Sequence, residues 1–372
     1  MERFYSFVFA VICAFFSVVA SAAEFKVVFI NPGHPQGDDT GEFWSEVDRF
    51  MQASAKDLNI ELTTLFANRN HIEMKRLANI LTVHEPDYVI LVNEKGVGVD
   101  LVRLIAPHQI PIFSLLNGFT ENELTKLTPQ EKSLLIGSLV PNNFLAGQGL
   151  MDGLYQHHIK AENEAKPLEV LALLGDYRSW AATERQAGLN SAINRNKQLK
   201  LLDSTVANWS KGEAYRKVKG ILRRQNVDII WAANDPMAFG AREAVREAGL
   251  TDQITIGGIN WDVAYQNSPF DLSFGGHVIL GANSLVMLAD HHRGLMQHCE
   301  MNAEHNIFQS SSGDKLSKFI ANTNGNNIEQ FDFTQFSKRH NNPAPYDLNV
   351  FIEHDYQTRP YSVPQNSCSS AP

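Results

Sequence analysis

The chain has 372 residues, a net charge of −9, and 44% hydrophobic against 20% charged residues. That length exceeds one ordinary core and fits two domains. The composition excludes a disordered chain. An acidic balance with no Lys or Arg block excludes nucleic acid and anionic lipid as expected partners.

At the N-terminus, Arg3 precedes an apolar run over 7–20 and the small-residue stretch Ala20-Ser21-Ala22-Ala23. This order of basic, apolar and small residues predicts a signal peptide over 1–23 and an exported mature chain. The run is short for a membrane span. Ile12 before Cys13 does not fit a lipoprotein anchor. Past this leader the cysteines are Cys299 and Cys368. One bridge tying the C-terminal tail to a helix and two separate thiols both remain open from sequence.

Apolar runs of strand length follow at 25–30, 60–65, 88–92, 112–116 and 134–139, separated by helix-period stretches at 42–57, 71–84 and 98–107. A second series starts after Pro141, with strands at 168–174, 199–206, 228–232 and 254–259 and helices at 144–160, 180–196, 211–225 and 237–248. Near-continuous apolar strands alternating with helices predict parallel sheets covered on both faces, wound by right-handed crossovers. Ser210 and Glu213 form a capping-box pattern, and Asp235 before Pro236 is expected to cap its helix. Further on, a strand is expected at 272–276, a helix at 282–297 and a β-like segment at 315–321. Residues 341–372, rich in Pro, Ser and Asn, suggest an extended surface tail.

Two doubly wound α/β halves place a cleft between them, and such sheets bind ligands at the carboxyl ends of their strands. Phe43-Trp44 opens a helix after a long Gly/Pro loop, and two adjacent rings cannot share one core stripe. Asn117 ends the fourth strand. Asp176, Arg178 and Arg185 gather near a helix start in the second half. Trp209, Asn234, Asn260 and Trp261 follow other strands, and His277 follows a strand with two glycines. With Asp235 expected to cap, Asn234 would be free to enter the cleft. Aromatic faces with planar polar groups between them suit a sugar-like ligand, whose C–H faces stack while its hydroxyls pair with amides and guanidinium.

Four blocks carry a family resemblance. Residues 233–241 resemble the Asn-Asp-x-Met-Ala-x-Gly-Ala helix start of type I periplasmic binding proteins of the ribose and galactose kind. Residues 182–188 are similar to that family's Arg-x-x-Gly, with 110–112 and 256–260 in support. The resemblance covers roughly residues 25–320. It implies two lobes joined by crossovers near 138–142, 277–281 and 313–321 that close on ligand by a hinge. The implied lobes are 24–140 with 278–313, and 141–277 with 314–340, followed by the tail. Trp44, Asn117, Arg185, Trp209, Asn234, Asn260 and His277 match the family's ligand contacts by position. Phe43, Asp235 and Trp261 complete the expected binding set. Leu116-Asn117 stands where pentose binders have Asp-Arg, Asn260 where they have Asp, and His277 where they have Gln. Trp44, Asn117, Arg185, Asp235 and Trp261 look like the autoinducer-2 receptor branch, which has a second arginine in place of His277 and signals to a membrane sensor kinase. The resemblance thus implies a periplasmic protein that hands a small polar ligand to an ABC permease or reports it to a sensor kinase.

An enzyme is the rival class. No Gly-x-Ser-x-Gly elbow, His-Glu-x-x-His or Walker loop occurs. The pairs His157-His158 and His291-His292 splay by about 100° on their helices, so no metal site is expected, and no cofactor. A sugar hydrolase would need carboxylates facing across the cleft. Asp176 with Asp235 or Asp262 are the candidates.

Overall fold

The computed structural model describes residues 22–161, 166–266 and 269–353. The expected signal peptide, Cys368 and the last part of the tail lie outside the described residues. The first lobe runs β1 (Phe25–Asn31), α1 (Phe43–Leu58), β2 (Ile60–Phe66), α2 (His71–Ile80), β3 (Tyr88–Leu91), α3 (Gly98–Ile105), β4 (Ile112–Leu115), the short α4 (Glu121–Leu124) and α5 (Pro129–Ser133), and β5 (Leu135–Pro141). The second lobe follows with α6 (Asn143–Ala161), β6 (Leu168–Leu174), α7 (Trp180–Arg195), β7 (Leu199–Val206), α8 (Lys211–Leu222), β8 (Ile229–Ala232), α9 (Asp235–Glu247), β9 (Thr255–Asn260) and β10 (Leu272–Gly275). The chain then adds α10 (Leu280–His292), β11 (Asn302–His305), β12 (Gln309–Ser310), α11 (Lys315–Thr323) and α12 (Leu348–Ile352).

Two six-stranded sheets result, in the orders β11-β5-β4-β3-β1-β2 and β12-β10-β9-β8-β6-β7. Their pairings are parallel except for the edge strand β12, which is antiparallel to β10. The alternation of strand and helix produces this because a crossover helix must cover each apolar sheet face. In β1, Val27 and Phe29 enter one core with α1 and α10, and Val28 and Ile30 enter another with α2 and α3. Successive strand residues point to opposite faces, which accounts for the division. In the second lobe α6 crosses α7 tightly. A Cβ on Gly147 would lie 2.0 Å from the Arg185 carbonyl oxygen, and one on Gly188 would lie 2.0 Å from that of Phe144.

The chain passes between lobes after β5 and again after β10. It crosses from β11 to β12 through 306–308 and returns through 311–314 to α11. Three expectations need correction here. Residues 315–321, expected as β-like, are helical, because Leu316, Phe319, Ile320 and Thr323 recur at helical spacing and form the buried face. Residues 314–340, expected in the second lobe, supply Leu316, Phe319, Ile328, Phe331, Phe333 and Phe336 to the core of the first. Residues 341–353 are not a surface drape. Leu348, Phe351 and Ile352 are buried in that same core, and Phe351 stacks on Phe331 at 4.5 Å between ring centroids.

Candidate functional site

The strand-end loops of both sheets meet across a cavity lined by residues of both lobes. Most of the non-glycine residues with left-handed backbone sit in these loops: Asn68, Arg69, Lys95, Leu116, Asn208, Trp209 and Trp261. Such conformations cost about 1–3 kcal/mol each and concentrate where side chains are aimed for function.

From the first lobe, the loop after β1 brings Thr40, and the start of α1 brings Phe43 and Trp44. Asn31 steadies this entry by donating from its amide nitrogen to the Trp44 carbonyl at 2.9 Å. Arg69 follows β2, Glu94 follows β3, and their side chains pair at 3.0 Å. Leu116 and Asn117 follow β4, and Pro141 ends β5. From the second lobe come Asn143 on α6, Ser179 and Ala181 at the start of α7, Arg185 on α7, Trp209 after β7, Asn234 after β8 and Asn260 at the end of β9. His277 lies in the connection after β10.

Arg185 is the hub. Buried on α7, it donates from Nε to Asn143 Oδ1 at 2.9 Å, from Nη1 to the Ala233 carbonyl at 2.7 Å, and from Nη2 to His277 Nε2 at 3.2 Å. Its guanidinium carbon lies 5.8 Å from the Trp209 ring and 5.6 Å from Phe308. Burial depresses the Arg185 pKa to about 9. The His277 ring is sandwiched between Phe43 at 4.6 Å and Phe308 at 4.5 Å. Burial, reinforced by the Arg185 charge, pushes His277 well below its ordinary value, so the imidazole is neutral.

The lobes are closed on one another. Asp39, in the loop after β1, accepts from Ser210 Oγ and from the Gly212 N–H at 3.1 Å, at the N-terminus of α8. The Lys211 N–H donates to the Asp39 carbonyl at 2.9 Å, and the Ala181 N–H donates to Asn117 Oδ1 at 3.1 Å. A helix N-terminus with its free N–H groups suits a carboxylate, which explains the choice of Asp39 as the clasp.

Of the expected binding set, the cavity brings together Phe43, Trp44, Asn117, Arg185, Trp209, Asn234, Asn260 and His277. It does not include Asp235 or Trp261. Asp235 does not cap its helix. Asn234 does, accepting from the Met237 N–H at 3.0 Å with extended backbone, while its amide nitrogen donates to the Trp209 carbonyl. Asp235 instead lies buried behind the cavity, accepting from Ser273 Oγ and from the Asp262 N–H, each at 2.9 Å. Burial raises its pKa to about 8. The Trp261 indole N–H donates to the Ser273 carbonyl at 3.3 Å and its ring packs on Phe319 at 5.6 Å. It lines a separate pocket with Glu42, Arg49 and Phe319. Two of the five residues that carried the autoinducer-2 likeness are therefore outside the cavity. The Ser210–Glu213 capping box is half present. Ser210 Oγ accepts from the Glu213 N–H, but the Glu213 carboxylate takes Asn208 instead. None of Asp176, Asp235 and Asp262 lines the cavity, and the carboxylate that does, Glu94, is held by Arg69.

Arg69, Glu94 and Asn143 are additions that sequence reasoning missed. The signal for the first two was present: Ala67-Asn68-Arg69 and Asn93-Glu94-Lys95 also directly follow strands. Asn143 opens α6 and carries no comparable mark.

The family model for a periplasmic binding protein domain matches residues 35–266. A D-apiose import binding protein of Actinobacillus succinogenes is 26% identical over 239 residues, 62% of this chain and 68% of that relative. Among solved structures, a periplasmic sugar-binding protein from Pseudomonas fluorescens has a TM-score of 0.78 and 27% identity, over 88% of this chain and 99% of that one. The fructose-binding periplasmic domain of a hybrid two-component system has a TM-score of 0.67 over 80% of this chain and 94% of its own. At 17% identity that likeness is one of fold.

Proposed function

We propose, on the premise that this chain belongs to the periplasmic binding protein family, that it captures a small sugar or related polyol between its lobes and presents it to a membrane permease of an ABC importer. The observation that carries this reading is the closed interlobe cavity itself, walled by Phe43, Trp44 and Trp209 and lined by asparagines and Arg185. Rings take the apolar faces of a sugar, while amides and guanidinium orient its hydroxyls in a space with little water. The sugar-binding names of the relatives support the same class. The family supports export to the periplasm, as does the apolar run near the N-terminus.

The ligand is bound and released unchanged in this reading. Hydrolysis would need a proton donor and a second carboxylate across the bond, and Glu94 is engaged by Arg69. The occurrence of this fold in a two-component receptor supports a second reading of the partner, in which the closed form engages a sensor kinase. A thermal-shift screen of pentoses, hexoses, polyols and sugar acids tests capture, since a ligand that binds only the native state raises the melting temperature. A panel that leaves the transition unmoved would sink the proposal. Uptake of the hit by membrane vesicles carrying the cognate permease separates import from signalling.

A further inference from the structure

The hydrogen-bonding capacity of the cavity is unevenly spent. The amide oxygens of Asn117, Asn143 and Asn234 are all taken by protein donors: the Ala181 N–H at 3.1 Å, Arg185 Nε at 2.9 Å and the Met237 N–H at 3.0 Å. Each of those donors can only donate, so the amide orientations are fixed. Asn260 and the Glu94 carboxylate still offer acceptors to the cavity, whereas around Arg185 the capacity left over is donor capacity. It comprises the Asn117 amide nitrogen, the second amide proton of Asn234, and one N–H on each terminal nitrogen of Arg185. His277 adds another. Its Nε2 faces a guanidinium that cannot accept, so Nε2 accepts and the ring proton sits on Nδ1. That Nδ1 is buried and meets no protein acceptor.

The charge balance points the same way. Arg69 and Glu94 cancel at 3.0 Å. Among the described residues no carboxylate lies within ion-pair distance of Arg185. Asp235, the nearest acid to act on it, is turned to Ser273 and the Asp262 N–H. The lining therefore carries one uncompensated positive charge. A neutral sugar would leave that guanidinium buried without a counter-charge, which is costly.

We propose that the solute is a polyhydroxylated monocarboxylate, an aldonate or uronate, whose carboxylate lies against Arg185 and the Asn234 amide while its hydroxylated frame stacks on the aromatic walls. A single carboxylate matches the single free charge, which a dianionic phosphate exceeds. The inference rests on solute capture as proposed above and narrows its chemistry.

The test is calorimetry of the full chain at neutral pH with matched pairs: D-galacturonate and D-galactonate against D-galactose and galactitol, and the corresponding gluco series. At least one acid should bind tenfold or more tighter than its neutral partner. Arg185→Gln should abolish that preference. Should that variant fail to fold, the methyl ester of the preferred acid decides on the unaltered protein, because it keeps the hydroxylated frame and removes the charge. It should bind at least tenfold more weakly than the acid. Neutral sugars binding as tightly as the acids, or an ester that binds as tightly as its acid, overturns the inference and leaves sugar capture standing. Binding of neither class by a chain shown folded by circular dichroism would take down sugar capture as well.

Discussion

Asp39→Ala removes the carboxylate that clasps the two lobes. The side chain accepts from Ser210 Oγ and the Gly212 N–H, and the backbone bond from Lys211 to the Asp39 carbonyl survives the change. Ser210 still caps α8 through the Glu213 N–H at 3.0 Å. What disappears is thus confined to the closed state. A hydrogen bond to a charged group is worth roughly 1.5–3 kcal/mol. These are solvent-exposed, so screening and side-chain entropy reduce the pair to about 1–1.5 kcal/mol together. If closure is needed for tight binding, the apparent dissociation constant rises by the loss of closed-state population, about tenfold for 1.4 kcal/mol. Asp39→Asn keeps one acceptor without the charge and should lie between. Calorimetry with the solute identified by thermal shift gives the constants, and small-angle scattering of the saturated protein reports closure. Affinity within twofold of the parent for the alanine variant would refute the view that this contact holds the lobes together.

Trp209→Ala strips one aromatic wall and the ring beside the Arg185 guanidinium, and should weaken binding at least tenfold by calorimetry, with Trp209→Phe retaining most of it; equal affinities would place the ligand elsewhere. Phe351→Ala should cost the first lobe about 3–5 kcal/mol in denaturant unfolding, since the ring is fully buried on Phe331. A loss below about 1 kcal/mol would return residues 341–353 to the surface tail the sequence suggested. Asp235, raised by burial from 3.8 to about 8, keeps its proton in the folded protein where the unfolded chain has lost it. Its contribution to stability is complete below about pH 4 and falls away as pH rises to about 8, at up to about 1.4 kcal/mol per pH unit. Asp235→Asn, able to accept from Asp262 and donate to Ser273, should remove that slope from the difference between variant and parent. Parallel stability curves between pH 5 and 8 would show that Asp235 does not titrate in this way.

Legibility in the sequence followed locality. Strands such as 168–174 and 199–206 were marked by apolar-rich runs of strand length between helix-period stretches, and the structure has them with those bounds. Phe43, Trp44, Arg185 and Trp209 could be picked out because they are large or charged groups placed directly after strands. The Asn234–Asp235 exchange was not visible. Both residues can cap, and only the extended backbone of Asn234 and the hydrogen bonds from Ser273 and Asp262 decide which does. The C-terminal region failed for a different reason. Phe331, Phe333, Phe336 and Phe351 meet α1 across nearly the whole chain, and no local period announces such a contact. Trp261 was misplaced because a strand-end position gives the register of a residue but not the direction of its ring, which here turns to Phe319.

The most direct measurement is a crystal structure of the protein with its solute bound at saturation. The account predicts ligand density between Trp44 and Trp209, within hydrogen-bonding distance of Arg185 and Asn117, with Asp39 clasped to the start of α8. Density in the pocket beside Arg49 and Trp261, or on an outer face with the central cavity filled by water, would contradict it.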